Sequence, residues 1–191
     1  MSFNNFAKMS EIPYRIVESL SQKGSENLFK LLYYNDYNAL DNPNLTFKQK
    51  MDMIWKYEAT DSKFNIFLKP LVVDEIIAQT TQMRINKLTI RPENHLQAVI
   101  TYEFAFITGQ NIAIVEKDGI PCPRIDLLEE ELLKSLNGLD IGGIGYFQFS
   151  DDLSRLCQET QAINNGESFF GNTIVLALRY MSISESGVCN G

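Results

Sequence analysis

The N-terminal third of the chain carries its apolar residues at helical spacing, which predicts three helices. The first runs from Ile12 to Leu20. Ser25 is a candidate N-cap for the second helix, and Thr46 is a candidate N-cap for a third helix from Phe47 to Tyr57. Because apolar residues three and four apart share one side of a helix, each helix presents a face that must be covered. Residues 1–62 are therefore predicted to be a helical N-terminal region.

From about residue 63 the hydrophobic period changes to two, which is typical of strands. Strands at about 80–91 and 96–108 flank a polar turn and are expected to pair as a long hairpin. One face of the second strand carries Ile100, Tyr102, Phe104 and Phe106. In the first strand the alternation changes phase near Asn86-Lys87, which predicts a β-bulge or a bend there.

The rest of the chain predicts shorter elements. They are a strand over 112–116, a loop from Lys117 to Pro123, a leucine-striped helix over 126–137, a strand from Tyr146 to Phe149 and a last strand from Thr173 to Ser182. Helices and strands are not interleaved as β-α-β units, so the fold class is α+β with a mainly antiparallel sheet packed against helices. Residues 63–182 are expected to form this domain, and residues 183–191 a flexible tail.

Glycines 138, 142, 143 and 145 look at first like a phosphate loop. Such a loop follows a strand and opens a helix, so that helical N–H groups face the anion. Here the helix comes first and the strand follows, which would present carbonyls instead. The glycines are therefore interpreted as a hinge that turns a buried helix into a strand.

The charge balance limits the partners that the chain can bind. The net charge is −7 and the Lys and Arg residues are not clustered, which argues against a nucleic-acid surface. The longest apolar runs fall well short of the ~18 residues that a membrane span needs.

The chain offers few groups for catalysis or metal binding. His95 is its single histidine, and its three cysteines, Cys122, Cys157 and Cys189, are dispersed. Glu129 to Glu131 lie on a helix where neighbouring side chains diverge, and Asp151-Asp152 lacks the spacing of a calcium loop. We expect no catalytic residues, no cofactor and no metal, and hence a protein that is not an enzyme.

The second half of the chain nevertheless resembles a known family. The resemblance rests on the hairpin from Arg84 to Thr108, the helix ending Leu136-Asn137-Gly138, the strand IGGIGYFQF, the Asn165-Gly166 turn, Phe169-Phe170-Gly171 and the closing strand NTIVLALRY. In this order the elements of residues 80–182 resemble the neck and tail-completion (tail-terminator) proteins of long-tailed bacteriophages. The helical N-terminal third departs from the compact terminator pattern.

The resemblance implies a virion structural protein of the phage neck or tail, assembled in the host cytoplasm. It would form a ring with copies of itself, expected as a hexamer although the sequence does not give the ring order. That ring would end the tail tube and join it to the head-connector proteins. Genomic DNA would pass through the lumen without sequence-specific binding, and no membrane is involved. A head-completion connector (adaptor or stopper) and a non-viral cytosolic binding module are the alternatives.

Contact residues are expected at turns, loops and exposed aromatic positions. The candidates are Gln110, Asn111, Lys117, Asp118, Arg124, Asp151, Asp152, Phe169 and Phe170. Tyr33, Tyr34, Tyr37 and Tyr57 are further aromatic positions that could lie in the core or at subunit contacts.

Overall fold

A computed structural model of the chain describes residues 9–22, 24–56, 64–70, 80–93, 97–143, 145–147, 158–164 and 169–181. His95, Asp151, Asp152, Cys157, Cys189 and Tyr57 lie outside the described residues, as does the predicted tail at 183–191. The class predicted from the sequence is confirmed, because helices pack on a mainly antiparallel sheet.

Four α-helices occur in the described residues. They are α1 (Ile12–Gln22), α2 (Glu26–Tyr33), α3 (Phe47–Asp52) and α4 (Arg124–Leu136). Thr46 caps α3 as predicted: its hydroxyl accepts the N–H of Gln49, and the Gln49 side chain accepts the N–H of Thr46. Ser25 precedes α2, but its side chain makes no capping bond.

Helix α3 is shorter than the pattern predicted, which extended it to Tyr57. The helix ends at Asp52 because the following backbone pairs with a strand instead: Ile54 bridges to Ile66, and the Trp55 N–H donates to the Ile66 carbonyl at 2.8 Å. A tertiary contact therefore overrides the helical spacing of the side chains.

The main sheet has six strands within the described residues. They are β1 (Ile66–Phe67), β2 (Thr81–Pro92), β3 (Gln97–Gly109), β6 (Gly145–Phe147), β7 (Gln158–Asn164) and β8 (Phe169–Met181). The order is β1-β2-β3-β8-β6, and β7 also pairs with β8; β1 and β2 are parallel and the other pairs are antiparallel.

The two predicted long strands pair with each other along their length. The register of β2 on β3 runs from Thr81 opposite Thr108 to Pro92 opposite Ala98. It shifts between Lys87 and Thr89, which confirms the predicted bulge. On the other side of β3 lies β8, which begins earlier than the sequence indicated.

Strands β4 (Ile114–Lys117) and β5 (Ile120–Pro123) form a separate small hairpin. The sequence predicted a loop from Lys117 to Pro123, and this prediction was wrong. Asp118 (φ 54°) and Gly119 (φ 78°) make the tight turn, which is the arrangement that an Asp-Gly pair favours in two-residue hairpins.

One hydrophobic core joins the N-terminal helices to the sheet. Ile16 of α1, Leu28 of α2, Phe104 of β3 and Leu132 of α4 are all 0% exposed members of it. The sheet face that carries Tyr102 and its even-numbered neighbours therefore packs against the helices.

The predicted glycine hinge joins α4 to β6. Gly138, Gly142 and Gly143 have positive φ angles of 73°, 59° and 74°, a region that side chains with a Cβ rarely adopt. The Gly138 N–H donates to the Phe147 carbonyl at 2.9 Å, so the turn leads directly from the helix end to the strand.

Candidate assembly surfaces

Arg124 does not lie on the surface where the sequence placed it. Its side chain is 0% exposed, and its guanidinium donates to four backbone carbonyls. Nε reaches Ile112 at 2.7 Å, Nη1 reaches Leu31 and Tyr34 at 2.7 Å each, and Nη2 reaches Asp36 at 2.9 Å. The prediction of Arg124 as a contact residue was therefore wrong, because its donors are used within the chain.

These bonds fix the end of α2 to the start of α4. Burial lowers the pKa of Arg124 to about 10, while the nearby Asp36 carboxylate acts in the opposite direction. The guanidinium is therefore charged at neutral pH, and the carbonyls at the C-terminus of α2 provide the negative end that a cation favours.

The β4–β5 hairpin and the neighbouring Tyr37 carry exposed apolar and acidic side chains, which we call the hairpin end: Tyr37, Ile114, Glu116, Asp118 and Ile120. Tyr37 is 68% exposed, Ile114 50% and Ile120 61%. The Glu116 N–H donates to the Tyr37 carbonyl at 2.7 Å, which places Tyr37 beside the hairpin. An exposed tyrosine is a residue type that is enriched at protein contacts.

The charges at this end are not balanced. Lys117 is the cation of the hairpin, and its Nζ pairs with Glu130 Oε2 at 3.2 Å. Lys134 also donates a hydrogen bond to Glu130. The bonds from Lys134 and Lys117, of which the bond from Lys134 has the larger effect, hold the pKa of the Glu130 carboxyl below its usual value. Glu116 and Asp118 make no ion pair within the described part of the chain, so the hairpin end is net negative.

Four other predicted contact residues lie at the end of the main sheet where β3 ends and β8 begins. Gln110 and Asn111 form an exposed 3-10 turn directly after β3. Phe169 pairs opposite Gly109 and is 9% exposed, and the partly buried Phe170 is opposite Thr108. The structure thus brings this turn and the start of β8 together, but it buries the aromatic rings more than the sequence indicated.

A second surface occurs where β2 extends beyond β1. We call it the β2 edge: Lys87, Leu88, Ile90 and Arg91. All four are exposed, Leu88 at 44% and Ile90 at 38%. In the described residues β1 pairs with β2 only at Met83 and Arg84, so this part of β2 has no neighbouring strand on its outer side.

Aromatic side chains form part of the surface of the helical region. Tyr14 and Tyr33 are each 44% exposed, Phe47 is 48% and Trp55 is 41%. The Lys69 ammonium lies 4.6 Å from the Trp55 ring centroid, in cation–π contact. The sequence left open whether these tyrosines lie in the core or on the surface, and the structure shows that Tyr33 and Tyr37 are exposed.

An open cleft of about 410 Å³ lies beside the end of α4, lined by Glu131, Lys134, Asn137, Gly138 and Gly24 among others. Lys134 is engaged there by Glu130 and Glu131. Among the described residues there is no group of three or more His, Cys, Asp or Glu side chains that could hold a metal ion. No described helix is long and apolar enough to cross a membrane.

A model of the YomW family matches residues 25–178, which is most of the chain. The chain belongs to the YomW family. The family carries the name of a phage gene product, which suggests a phage-associated protein. No curated protein and no solved structure matches the chain.

The YomW match includes both the β2 edge and the hairpin end, whereas α1 precedes it. Sequence reasoning missed the exposed aliphatic residues of both surfaces. Two signals could have found them: the Asp118-Gly119 hairpin turn, and the phase change in β2 that carries Leu88 and Ile90 away from the buried pattern.

Proposed function

We propose that the chain is a virion structural protein of the phage neck or tail, which forms a ring that ends the tail tube and joins it to the head connector. The observation that carries the proposal is membership of the YomW family, which bears a phage gene name, over residues 25–178. The order of helices and strands supports it, because that order resembles the neck and tail-completion proteins of phages. Family membership also argues against a non-viral binding module.

The physical properties of the chain suit that role. An acidic surface in the ring lumen would repel DNA and let the duplex slide through without being held, and the net charge of −7 is compatible with such a surface. The shared core gives each subunit a rigid body, and the turns and edges leave side chains exposed for neighbours.

A head-completion connector, either adaptor or stopper, is the second candidate. The observation that favours it is the helical region α1 to α3, which packs into the same core as the sheet and departs from the compact terminator pattern. A connector would place its helices against the portal side of the neck instead of the tail tube.

Electron microscopy of lysates from a phage in which the gene is inactivated distinguishes the two roles. Loss of a terminator leaves tails of irregular length and heads that carry DNA but no tail. Loss of a connector leaves finished tails and heads that have lost their DNA. Normal infectious particles without the protein would refute both roles.

A further inference from the structure

The glycine hinge between α4 and β6 begins with an Asn-Gly pair, Asn137-Gly138. Both residues are exposed and line the open cleft at the end of α4. Asn137 has an extended backbone, with φ −61° and ψ 115°, which any residue can adopt. Its side chain makes no hydrogen bond within the described part of the chain. The turn requires glycine at position 138, where φ is 73°, but it does not require asparagine at position 137.

An asparagine that precedes a glycine can lose its side-chain amide without an enzyme. The backbone nitrogen of the glycine attacks Cγ of the asparagine, so an N–Cγ bond forms and the Cγ–Nδ2 bond breaks. The Nδ2 group takes the proton of the backbone N–H and leaves as ammonia, and the product is a cyclic succinimide. Water then opens the ring at one of its two carbonyls, which gives aspartate or isoaspartate. Glycine favours the reaction because it has no side chain to hinder the attacking nitrogen.

The folded hinge holds the two reacting groups of Asn137 and Gly138 apart. Ring closure requires the Gly138 nitrogen to eclipse Cβ of Asn137, whereas a ψ of 115° rotates that nitrogen well away from Cβ. The Gly138 N–H also donates to the Phe147 carbonyl at 2.9 Å, so the nitrogen that would attack keeps its proton in a hydrogen bond. Deamidation therefore requires the hinge to open first.

Strand β6 keeps the Phe147 carbonyl in place. Phe147 is opposite Leu178 of β8 and is 0% exposed. Its ring centroid lies 6.5 Å from that of Tyr102 and 6.1 Å from that of Phe104, in edge-to-face contacts. Release of the Gly138 N–H by withdrawal of β6 would expose this buried ring to water, which costs free energy.

We propose that Asn137 is a latent deamidation site that reacts only when β6 leaves β8. In the closed hinge the side chain remains an amide. In the open hinge the Gly138 nitrogen is free to rotate toward Cγ and attack it. The inference does not depend on the proposed function, because it concerns the hinge of a single chain.

The products of the reaction hinder closure of the hinge. Isoaspartate continues the chain through its side-chain carboxyl and so adds one methylene to the backbone, which displaces the Gly138 N–H from the Phe147 carbonyl. Aspartate at position 137 keeps the backbone but places a negative charge at the C-terminus of α4, where the helix dipole favours cations. Modification of Asn137 is thus a lasting record that a molecule has opened.

Peptide mapping by mass spectrometry measures the reaction, since the replacement of an amide by a carboxyl changes the mass of the peptide. The full chain is incubated at mildly alkaline pH, in buffer and in urea above its unfolding midpoint. Asn165-Gly166 is another Asn-Gly pair of the sequence, and incubation continues until Asn165 has reacted in urea. We expect Asn137 to react faster in urea than in buffer by about tenfold or more.

Two variants open the hinge without a change at Asn137. Gly145→Ala adds a Cβ that would lie 2.3 Å from the Arg179 carbonyl oxygen of β8. Phe147→Ala removes the ring that anchors β6 in the core. The matched control is Phe29→Ala, which removes an equally buried ring from α2. In buffer both hinge variants should deamidate at Asn137 about tenfold or more faster than the native chain, and the control should stay close to the native rate.

The proposal is overturned if Asn137 reacts equally fast in buffer and in urea, because the closed hinge would then give no protection. It is also overturned if Asn137 survives in the unfolded chain while Asn165 reacts. Hinge variants that react as slowly as the native chain would refute the role of β6. A control that reacts as fast as Phe147→Ala would refute it too, since overall stability would then govern the rate.

Circular dichroism checks that each variant is folded. Where the hinge variants do not fold, the native chain is incubated at urea concentrations below its unfolding midpoint. A rate at Asn137 that rises before the chain unfolds globally supports local opening of the hinge. A rate that follows the fraction of globally unfolded chain contradicts it.

Discussion

Replacing Arg124 with methionine should destabilise the protein strongly. The guanidinium donates to the carbonyls of Ile112, Leu31, Tyr34 and Asp36, and methionine fills similar volume without a donor. Each buried carbonyl left without a partner costs about 1 kcal/mol or more, and relief from burying a cation offsets part of the sum. We expect a loss of about 3 kcal/mol in the free energy of unfolding.

Urea denaturation followed by circular dichroism measures this loss. With a slope of about 2 kcal/mol per molar urea, the midpoint should fall by about 1.5 M. Arg124→Lys keeps the charge but not the fork of donors, and it should fall between methionine and the native chain. The matched control is Arg15→Met, since Arg15 is 40% exposed and forms surface pairs with Glu11 and Glu18. If Arg124→Met and Arg15→Met differ by less than 1 kcal/mol, the role assigned to Arg124 is refuted.

Three smaller effects follow from other contacts. Gly143→Val should cost about 1–3 kcal/mol through its φ of 74°, and Gly143→Asn should cost less; equal thermal midpoints would contradict the hinge. Lys50→Met removes the cation that Glu26 binds at 2.5 Å, so its midpoint in urea should drop, and adding Glu26→Gln should restore part of it. The pKa of the Glu130 carboxyl is lowered in the folded chain, so the ionised carboxylate stabilises the fold at pH values above its unfolded pKa. This stabilisation is lost as the pH falls through the folded pKa. Glu130→Gln should therefore flatten the decline of stability on the acid side, most clearly at low salt.

Local sequence signals predicted the elements whose causes are local. Thr46 and Gln49 form the capping box three residues apart, and the phase change at Lys87 marks the bulge where it occurs. The leucine stripe of α4 and the glycine hinge are likewise written in neighbouring residues.

Long-range contacts explain what the sequence did not predict. The Leu31 and Asp36 carbonyls that hold Arg124 are 93 and 88 residues away along the chain, so nothing near Arg124 indicates its burial. The sequence predicts a loop where β5 lies because Pro121 and Pro123 suppress a strand pattern, although prolines are tolerated in an edge strand. The β2 edge depends on how far β1 extends, which no local pattern gives.

Assembly of the purified native chain tests the central claim most directly. Sedimentation velocity over a wide range of concentrations gives the mass, and negative-stain microscopy gives the shape. The ring proposal predicts one discrete closed oligomer that is a whole multiple of the 21.8 kDa chain and appears as rings with a central opening. A species of 21.8 kDa at every concentration, with no rings in the images, would contradict it.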